Sequence, residues 1–160
     1  MDKSSSSPPA VVACRMLADA TKGALATRRA VDGHPYASLV LVAADAACRP
    51  LFLISRLALH TQNLLGDPAA SLLIDATDTQ GDPVAGGRVT FIGTVHATED
   101  PAARLRFLNR HPSAQTYASF ADFSVYAMQV ASAHLIQGFG RIVTIPGSDL
   151  AAACAGMPQS

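Results

Sequence analysis

The sequence predicts a small, mainly β fold, an antiparallel barrel packed with a few helices. Apolar and polar residues alternate over several short segments, most clearly over residues 88–97, and this is the period of a half-buried strand. The connections between neighbouring segments are short enough for hairpins, so consecutive strands are expected to pair locally. Because locally joined antiparallel strands dominate and helices are few, the pattern favours a small barrel over a parallel α/β sheet.

The N-terminal part of the chain predicts one helix followed by three strands. Residues 8–21 hold apolar residues among good helix formers, with Ser7 as the expected cap and Pro8 in the first turn. Asp32-Gly33 tolerates a tight turn with positive φ, so the segments on either side of it should form an antiparallel hairpin. The three strands are expected at residues 23–30, 35–44 and 50–55.

The hydrophobic period changes from that of a buried strand to that of a helix near Ser55-Arg56, and the helix is expected over residues 57–64. The first N–H groups of a helix have no partner within the helix and point outward. The polar side chains expected around them are those of Ser55, Arg56, His60 and Thr61. A junction of this composition predicts a place to hold a phosphate group.

The C-terminal half continues with strands and two short helical segments. Gly66-Asp67-Pro68 ends the junction helix, and a loop rich in Gly, Asp and Pro runs to Gly87. Asp100-Pro101 then opens a helix that His111-Pro112 interrupts. The remaining predicted elements are strands at 70–75, 88–97, 123–130 and 133–145 and a second helical segment at 116–119.

Length, charge and composition predict one cytoplasmic domain. The chain has 160 residues, and its 12 Lys and Arg balance its 12 Asp and Glu, so no overall field attracts nucleic acid or an anionic membrane. No apolar run is long enough to span a membrane, and the polar start lacks the apolar core of a signal peptide.

The cysteine and histidine spacing predicts no metal site. Cys14, Cys48 and Cys154 are far apart in the sequence and include no C-x-x-C pair, so we interpret them as packing residues in a reducing compartment. The five histidines lack the H-x-x-x-H and H-E-x-x-H spacings of zinc sites. Catalytic residues stay unassigned, because no Ser-His-Asp or paired-carboxylate pattern occurs.

An ordered set of short motifs extends over about residues 10–145. The motifs are Ala24-Leu-Ala-Thr27, Gly33-His-Pro-Tyr-Ala-Ser38, Ile54-Ser-Arg-Leu-Ala-Leu-His-Thr61, Asn63-Leu64, Asp67-Pro68, Arg88-Val-Thr90, Gly93 and Gly138-Phe-Gly-Arg141. Together they resemble the FMN-binding split-barrel family, which includes the pyridoxamine 5′-phosphate oxidases. Within that family the chain is most similar to the flavin-binding barrel of heme-iron-utilisation proteins.

The resemblance implies a six- to seven-stranded antiparallel split β-barrel of the FMN-binding type, assembled as a homodimer with FMN in two clefts along the interface. The cofactor-binding residues that it implies are Ser38, Leu39, Val40, Ser55, Arg56, Leu57, His60, Thr61, Asn63, Arg88 and Arg141. In this picture Ser38 contacts the flavin, Arg56 borders its ribityl chain, and Arg141 reaches the flavin of the neighbouring subunit. An FMN phosphate favours Arg forks, helix N–H groups and hydroxyl donors, and these residue types are present.

Three departures from the family pattern affect the expected activity. His60-Thr61 stands where the oxidases have an Arg-Lys pair, which predicts a weaker phosphate clamp and a pH-dependent affinity. The Arg-rich stretch with which the oxidases bind pyridoxal phosphate is not recognisable after Arg141, so pyridoxamine phosphate oxidation is not expected. The sequence ends at Ser160 without the extra C-terminal domain of many heme-utilisation members.

Two functions therefore remain open. The first is an FMN-dependent oxidoreductase that acts on a small or planar ligand, with heme or a related tetrapyrrole favoured by the resemblance. The second is a non-catalytic flavin- or heme-binding module for sensing, storage or delivery. No dinucleotide-binding G-x-G-x-x-G pattern occurs, so direct use of NAD(P)H is not expected. The expected organisation is a flexible segment at 1–9, the barrel at 10–146 and a C-terminal tail at 147–160.

Overall fold

One curled antiparallel sheet organises the chain in a computed structural model that describes residues 7–77, 81–138 and 140–158. The elements, in chain order, are α1 (Pro9–Asp19), β1 (Lys22–Arg28), β2 (Pro35–Leu41), β3 (Ala43–Ala44), β4 (Pro50–Ser55), α2 (Leu59–Gly66), β5 (Ala69–Ala76), β6 (Gly87–Ala97), α3 (Pro101–Arg110), a 3₁₀ turn (Pro112–Thr116), β7 (Phe123–Gln137), β8 (Arg141–Pro146) and α4 (Gly147–Ala155).

The strand order in the sheet is β2-β1-β5-β6-β7-β4-β3, and β8 pairs with the second half of β7. Every strand pair is antiparallel. Apart from β3, which has two residues, seven strands form this sheet within the described chain. The predicted split β-barrel of six to seven antiparallel strands is therefore confirmed.

Two hydrophobic clusters fill the two sides of β4, which explains its unbroken apolar sequence. Phe52 belongs to the large cluster inside the barrel, together with Phe91 of β6. Leu51, on the other face of the strand, packs in a second cluster with Phe107 of α3. Helix α3 thus covers one end of the sheet from outside, while Leu39 of β2 and Leu73 of β5 are left exposed on the outer face by the described residues.

The hairpin predicted at Asp32-Gly33 is confirmed. Gly33 has a φ of 73°, and β1 and β2 pair on either side of it, with Thr27 opposite Tyr36. The positive φ is accessible to glycine without a steric cost, which is why the turn forms here.

Several predicted boundaries are wrong. Two strands were expected at 123–130 and 133–145, but β7 runs unbroken from Phe123 to Gln137 and β8 follows it. One extra residue of β7, Ala131, lies between Ser132 and Val130, which pair with the consecutive residues Ile92 and Gly93 of β6, and β7 continues through this bulge. The second helical segment lies at Pro112–Thr116 rather than at 116–119.

Two helix ends also differ from expectation. Helix α1 begins at Pro9 with Pro8 as its N-cap and without a capping side chain, so Ser7 is not the cap. Helix α2 begins at Leu59 rather than at residue 57.

Helix α4 lies within the segment 147–160 that was expected as a tail. It packs against α1 and β7, and its Leu150 is buried in the barrel cluster. Of the expected flexible segment 1–9, residues 1–6 lie outside the described part of the chain, as do residues 159 and 160 of the tail.

Candidate functional site

The candidate site forms where β4 passes into α2, because α2 lies across the hairpin of β1 and β2. Asn63 fixes the helix there: its Nδ2 donates to Thr27 Oγ1 at 3.0 Å, and its Oδ1 accepts from the backbone N–H of Ala30 at 3.4 Å. Asn63 and Thr27 are both buried. Asn63, expected as a cofactor contact, therefore bonds to protein groups and positions α2.

His60 lies over β2 and makes one hydrogen bond with its ring. His60 Nδ1 is 3.1 Å from Ser38 Oγ, and the other ring nitrogen, Nε2, is shielded from solvent and has no hydrogen-bond partner among the described residues. Burial lowers the pKa of His60, so its imidazole is held in the neutral form more strongly than in a free chain. The fold thus brings Ser38 and His60 together as a pair and leaves Nε2 without a polar contact.

The first turn of α2 carries one further buried polar group without a partner among the described residues, the Thr61 hydroxyl. No side chain caps the helix, and the backbone N–H groups of Thr61 and Gln62 both donate to the carbonyl of Ala58, at 3.1 and 3.0 Å. Thr61 itself is completely buried. An unpaired buried polar atom costs stability, so the Thr61 hydroxyl marks the turn as a place where a water or a ligand completes the hydrogen bonding.

The junction itself is held by Asp122, a residue that the motifs did not single out. The Ser55 hydroxyl donates to the Asp122 carboxylate and accepts from the Leu57 N–H at 3.1 Å. The Arg56 N–H donates to the Asp122 carbonyl at 2.8 Å. Asp122 lies outside the motifs quoted above. The one sequence signal for it is an acidic side chain immediately before a predicted strand.

Charged and apolar side chains project from this junction. The Arg56 side chain is exposed and has no ion pair or hydrogen bond with the described residues. Leu57 is 77% exposed, and Leu59 is exposed as well. On β2, Leu39 is 71% exposed on the face opposite to Ser38, whereas Val40 is buried. The junction therefore offers one cation beside an apolar surface.

Arg88 and Arg141 lie at the other end of the sheet. On β7, Arg88 of β6 pairs with Ile136, whereas Ser55 of β4 pairs with Phe123. These two positions are separated by roughly 40 Å of strand at about 3.3 Å per residue. Arg141 begins β8 beside the same distant end. One chain therefore does not bring the two predicted halves of the cofactor site together.

Arg88 has local contacts at this distant end. Its Nη1 donates to the Val84 carbonyl at 3.0 Å, and it lies opposite Asp75 in the sheet. Hydrogen bonds from Thr77 are the main cause of a lowered pKa of Asp75, and the charge of Arg88 contributes. In the motif Gly138-Phe-Gly-Arg141, the phenylalanine at 139 lies outside the described residues.

An exposed apolar row crosses the outer face of the sheet. Leu39 lies opposite Ala24, Ala24 opposite Leu73, and Leu73 opposite Thr90. Leu39 and Leu73 are exposed, and so are Ile92 and Ile142 on the same sheet. A contiguous apolar surface of this kind is typical of an interaction site.

No three His, Cys, Asp or Glu side chains of the described chain are arranged to hold a metal ion. Likewise, within residues 7–77, 81–138 and 140–158, every helix is too short or too polar to cross a membrane.

The pKa of His60 predicts a pH-dependent stability. The folded pKa lies below the unfolded value of 6.5, so the unfolded chain binds the proton more readily. We expect the contribution of His60 to be fully present above pH 6.5 and to be lost as the pH falls toward the folded pKa. Urea unfolding across this range should show a steeper loss in the wild type than in His60→Gln. The exposed His34→Gln serves as the control, and identical slopes for all three proteins would contradict the assignment.

Comparison with known proteins supports the fold and identifies a family and several relatives. The family model described as the CREG β-barrel matches residues 5–151. The chloroplastic protein of Arabidopsis thaliana named non-canonical heme oxygenase HOZ is 34% identical over 110 residues, which are 67% of this chain and 33% of that protein. The chain thus spans about a third of this curated relative.

Two solved structures show the same architecture. A heme binding protein from Mycobacterium smegmatis superposes with a TM-score of 0.84 at 34% identity, over 92% of this chain and 62% of that one. HutZ, a heme storage protein from Vibrio cholerae, superposes with a TM-score of 0.65 at 20% identity, over 78% and 90% of the two chains, and at that identity it supports the fold alone. The resemblance to split barrels close to the heme-utilisation proteins is confirmed.

Proposed function

The chain belongs to the CREG β-barrel family. Because two relatives at 34% identity are named a heme oxygenase and a heme binding protein, we propose that it binds heme, or a related planar tetrapyrrole, at the junction of β4 and α2. In this proposal His60 is the iron ligand and Ser38 orients its ring. The chain acts as a homodimer, and the second copy completes the site with Arg88 and Arg141.

The observation that carries the proposal is the asymmetric environment of the His60 ring. When Nδ1–H donates to Ser38 Oγ, the Nε2 atom carries a lone pair without a described protein partner, and a ligand reaches it once the side chains that shield it move aside. A histidine that ligates a metal commonly donates its other ring N–H in this way, which fixes the tautomer and the ring orientation. The lowered pKa of His60 adds to this, because only the neutral imidazole coordinates iron.

The surroundings of His60 suit a large planar ligand that carries acidic groups. The exposed Leu57 and Leu59 precede the histidine in the sequence and provide apolar surface for a ring system. The exposed Arg56 guanidinium can hold a carboxylate with two parallel hydrogen bonds. A bound heme supplies redox chemistry at its iron, while these residues bind it, orient it and exclude water from one face.

A second copy of the chain is part of the proposal. The exposed row through Leu39 and Leu73 gives each subunit an apolar sheet face that a partner can cover. Arg88 and Arg141 are remote from His60 in one chain, so only a partner subunit can bring them to the site. Ligand binding and dimerisation are then thermodynamically linked, and each strengthens the other.

FMN is the second candidate ligand, and the protein is then a flavin-dependent oxidoreductase. The uncapped first turn of α2 beside Arg56 favours it, because phosphates bind at helix N-termini. The phosphate clamp is weak in one chain, however, since His60 is held neutral and the Thr61 hydroxyl is buried. We therefore rank FMN second. Heme binding at this site also suits a non-catalytic role in heme storage or delivery.

Equilibrium titration of the purified protein distinguishes the two ligands. We expect added hemin to give a saturable change in its Soret absorption at concentrations where FMN fluorescence is still unquenched. Diluting the complex should release hemin as the dimer dissociates, and a ligand affinity independent of protein concentration would exclude a shared site. Tight FMN binding without hemin binding would overturn the heme assignment, and equal affinity for riboflavin would exclude a phosphate site.

A further inference from the structure

The fold brings together three cysteines that are distant in the sequence. Cys14 lies on α1, Cys48 in the turn between β3 and β4, and Cys154 on α4. All three line one cavity of about 600 Å³. We call these three residues the cysteine cluster. Cys14 and Cys48 are 2% and 3% exposed, and Cys154 is partly exposed.

The elements that carry the cysteine cluster pack together, because α1 lies against both β3 and α4. The thiols are close enough around the cavity for each to affect the pKa of the others. Two carbonyl groups fix the positions of the sulfurs: Cys154 Sγ is 3.1 Å from the Ala46 oxygen, and Cys14 Sγ is 3.6 Å from the Leu150 oxygen. The sequence spacing predicts only packing residues. The proximity of the three thiols is an additional feature that the spacing does not predict.

The turn that carries Cys48 is rigidly held. Asp45 Oδ1 accepts from the Ala47 N–H at 2.8 Å and from the Arg49 N–H at 2.9 Å, and Asp45 Oδ2 pairs with Arg49 Nε at 2.6 Å. Cys48 adopts a φ of 60°, a left-handed conformation that is uncommon for a residue other than glycine. The turn therefore fixes the Cys48 backbone, and the Cys48 side chain is buried beside the cavity.

The three thiols differ in acidity. The hydrogen bond from Cys48 is the main cause of a lowered pKa of Cys14, against the effect of burial, and Cys154 adds to the lowering. The hydrogen bond to Cys14 and burial raise the pKa of Cys48, and burial is the main cause of a raised pKa of Cys154. Cys14 is also the central member, because α1 packs against both β3 and α4, and the thiolate is the nucleophilic form of cysteine, so Cys14 is the member of the cluster suited to react first.

We propose that the cysteine cluster is a reversible oxidation site for hydrogen peroxide, in which Cys14 is attacked first and Cys48 resolves it to an intramolecular disulfide. Such a bond ties α1 to the turn between β3 and β4. Cys154 remains a free thiol at the cavity.

The reaction balances in two steps. The Cys14 thiolate attacks one peroxide oxygen, the O–O bond breaks, and the departing hydroxide takes a proton to become water, which leaves Cys14 as a sulfenic acid. The Cys48 sulfur then attacks the Cys14 sulfur, the S–O bond breaks, and a second water leaves with the Cys48 proton. Two thiols lose two electrons in total, and one peroxide is reduced to two waters.

Peptide mapping tests the proposal directly, because trypsin places the three cysteines on separate fragments, 4–15, 30–56 and 142–160. The native protein is treated with hydrogen peroxide, its free thiols are blocked with iodoacetamide, and it is digested without reductant. We expect fragments 4–15 and 30–56 to appear as one species that dithiothreitol separates, with Cys154 alkylated. Protein oxidised in urea should lose this selectivity.

Two variants separate the roles of the cysteines. Cys154→Ser should still give the linked fragments, whereas the double variant Cys48→Ser/Cys154→Ser, which has no second thiol at the cavity, should leave a Cys14 sulfenic acid that dimedone traps. Alkylation of all three cysteines after oxidation of the folded wild type, or oxidation confined to Cys154, would overturn the proposal. A bond between Cys14 and Cys154 in the wild type would overturn the assignment of Cys48.

Discussion

Replacing Gly93 by alanine should destabilise the fold by about 3 kcal/mol or more, a loss at the severe end for a single substitution. Gly93 lies at the register shift between β6 and β7. A Cβ atom there would be 1.9 Å from the Gln129 oxygen and 3.1 Å from the Val130 Cα, both of them backbone atoms. Backbone cannot move aside as the end of a side chain can, so the two central strands would have to separate.

Gly66→Ala is the matched control for this prediction. A Cβ at Gly66, in α2, would meet the Ala30 Cβ at 3.4 Å, which the neighbouring hairpin can accommodate. Alanine is also favoured over glycine in a helix, so the change should stay within about 1 kcal/mol. Urea unfolding of both variants measures the difference, and equal midpoints for Gly93→Ala and the wild type would show that the sheet yields at this point.

Local sequence patterns predicted the strands and the first hairpin because those features depend on neighbouring residues. The alternation over 88–97 became β6, and Asp32-Gly33 became the turn between β1 and β2. The patterns failed where a distant segment decides the outcome. Strand β7 continues through the predicted break because it forms a bulge opposite Ile92 and Gly93 of β6, and α4 forms where Leu150 enters the barrel core.

The same distinction between local and distant contacts applies to the candidate site. The junction of β4 and α2 was visible in the sequence, as were Arg56 and His60, because they follow one another along the chain. The contact of His60 with Ser38 depends on how α2 crosses the hairpin, and Asp122 approaches Ser55 only through the sheet. The remote position of Arg88 follows from strand register, which motif order does not contain.

His60→Ala should weaken hemin binding by at least roughly 10- to 100-fold. That is the usual loss when a residue that only orients a metal ligand is removed, and here the ligand itself is removed. The substitution removes the only side chain at the junction whose ring nitrogen is both neutral and without a partner among the described residues. Ser38→Ala should cause a smaller loss, because the ring then keeps its nitrogen and loses only its orienting hydrogen bond. The exposed His96→Ala is the matched control and should leave the affinity unchanged.

The most direct test of histidine ligation by this barrel is a hemin titration of His60→Ala, followed by absorption with and without added imidazole. The account predicts that the wild type gives the spectrum of an imidazole-ligated heme, that His60→Ala loses this spectrum, and that free imidazole restores it. A wild-type spectrum and affinity in His60→Ala without imidazole would contradict the account and place the heme ligand elsewhere.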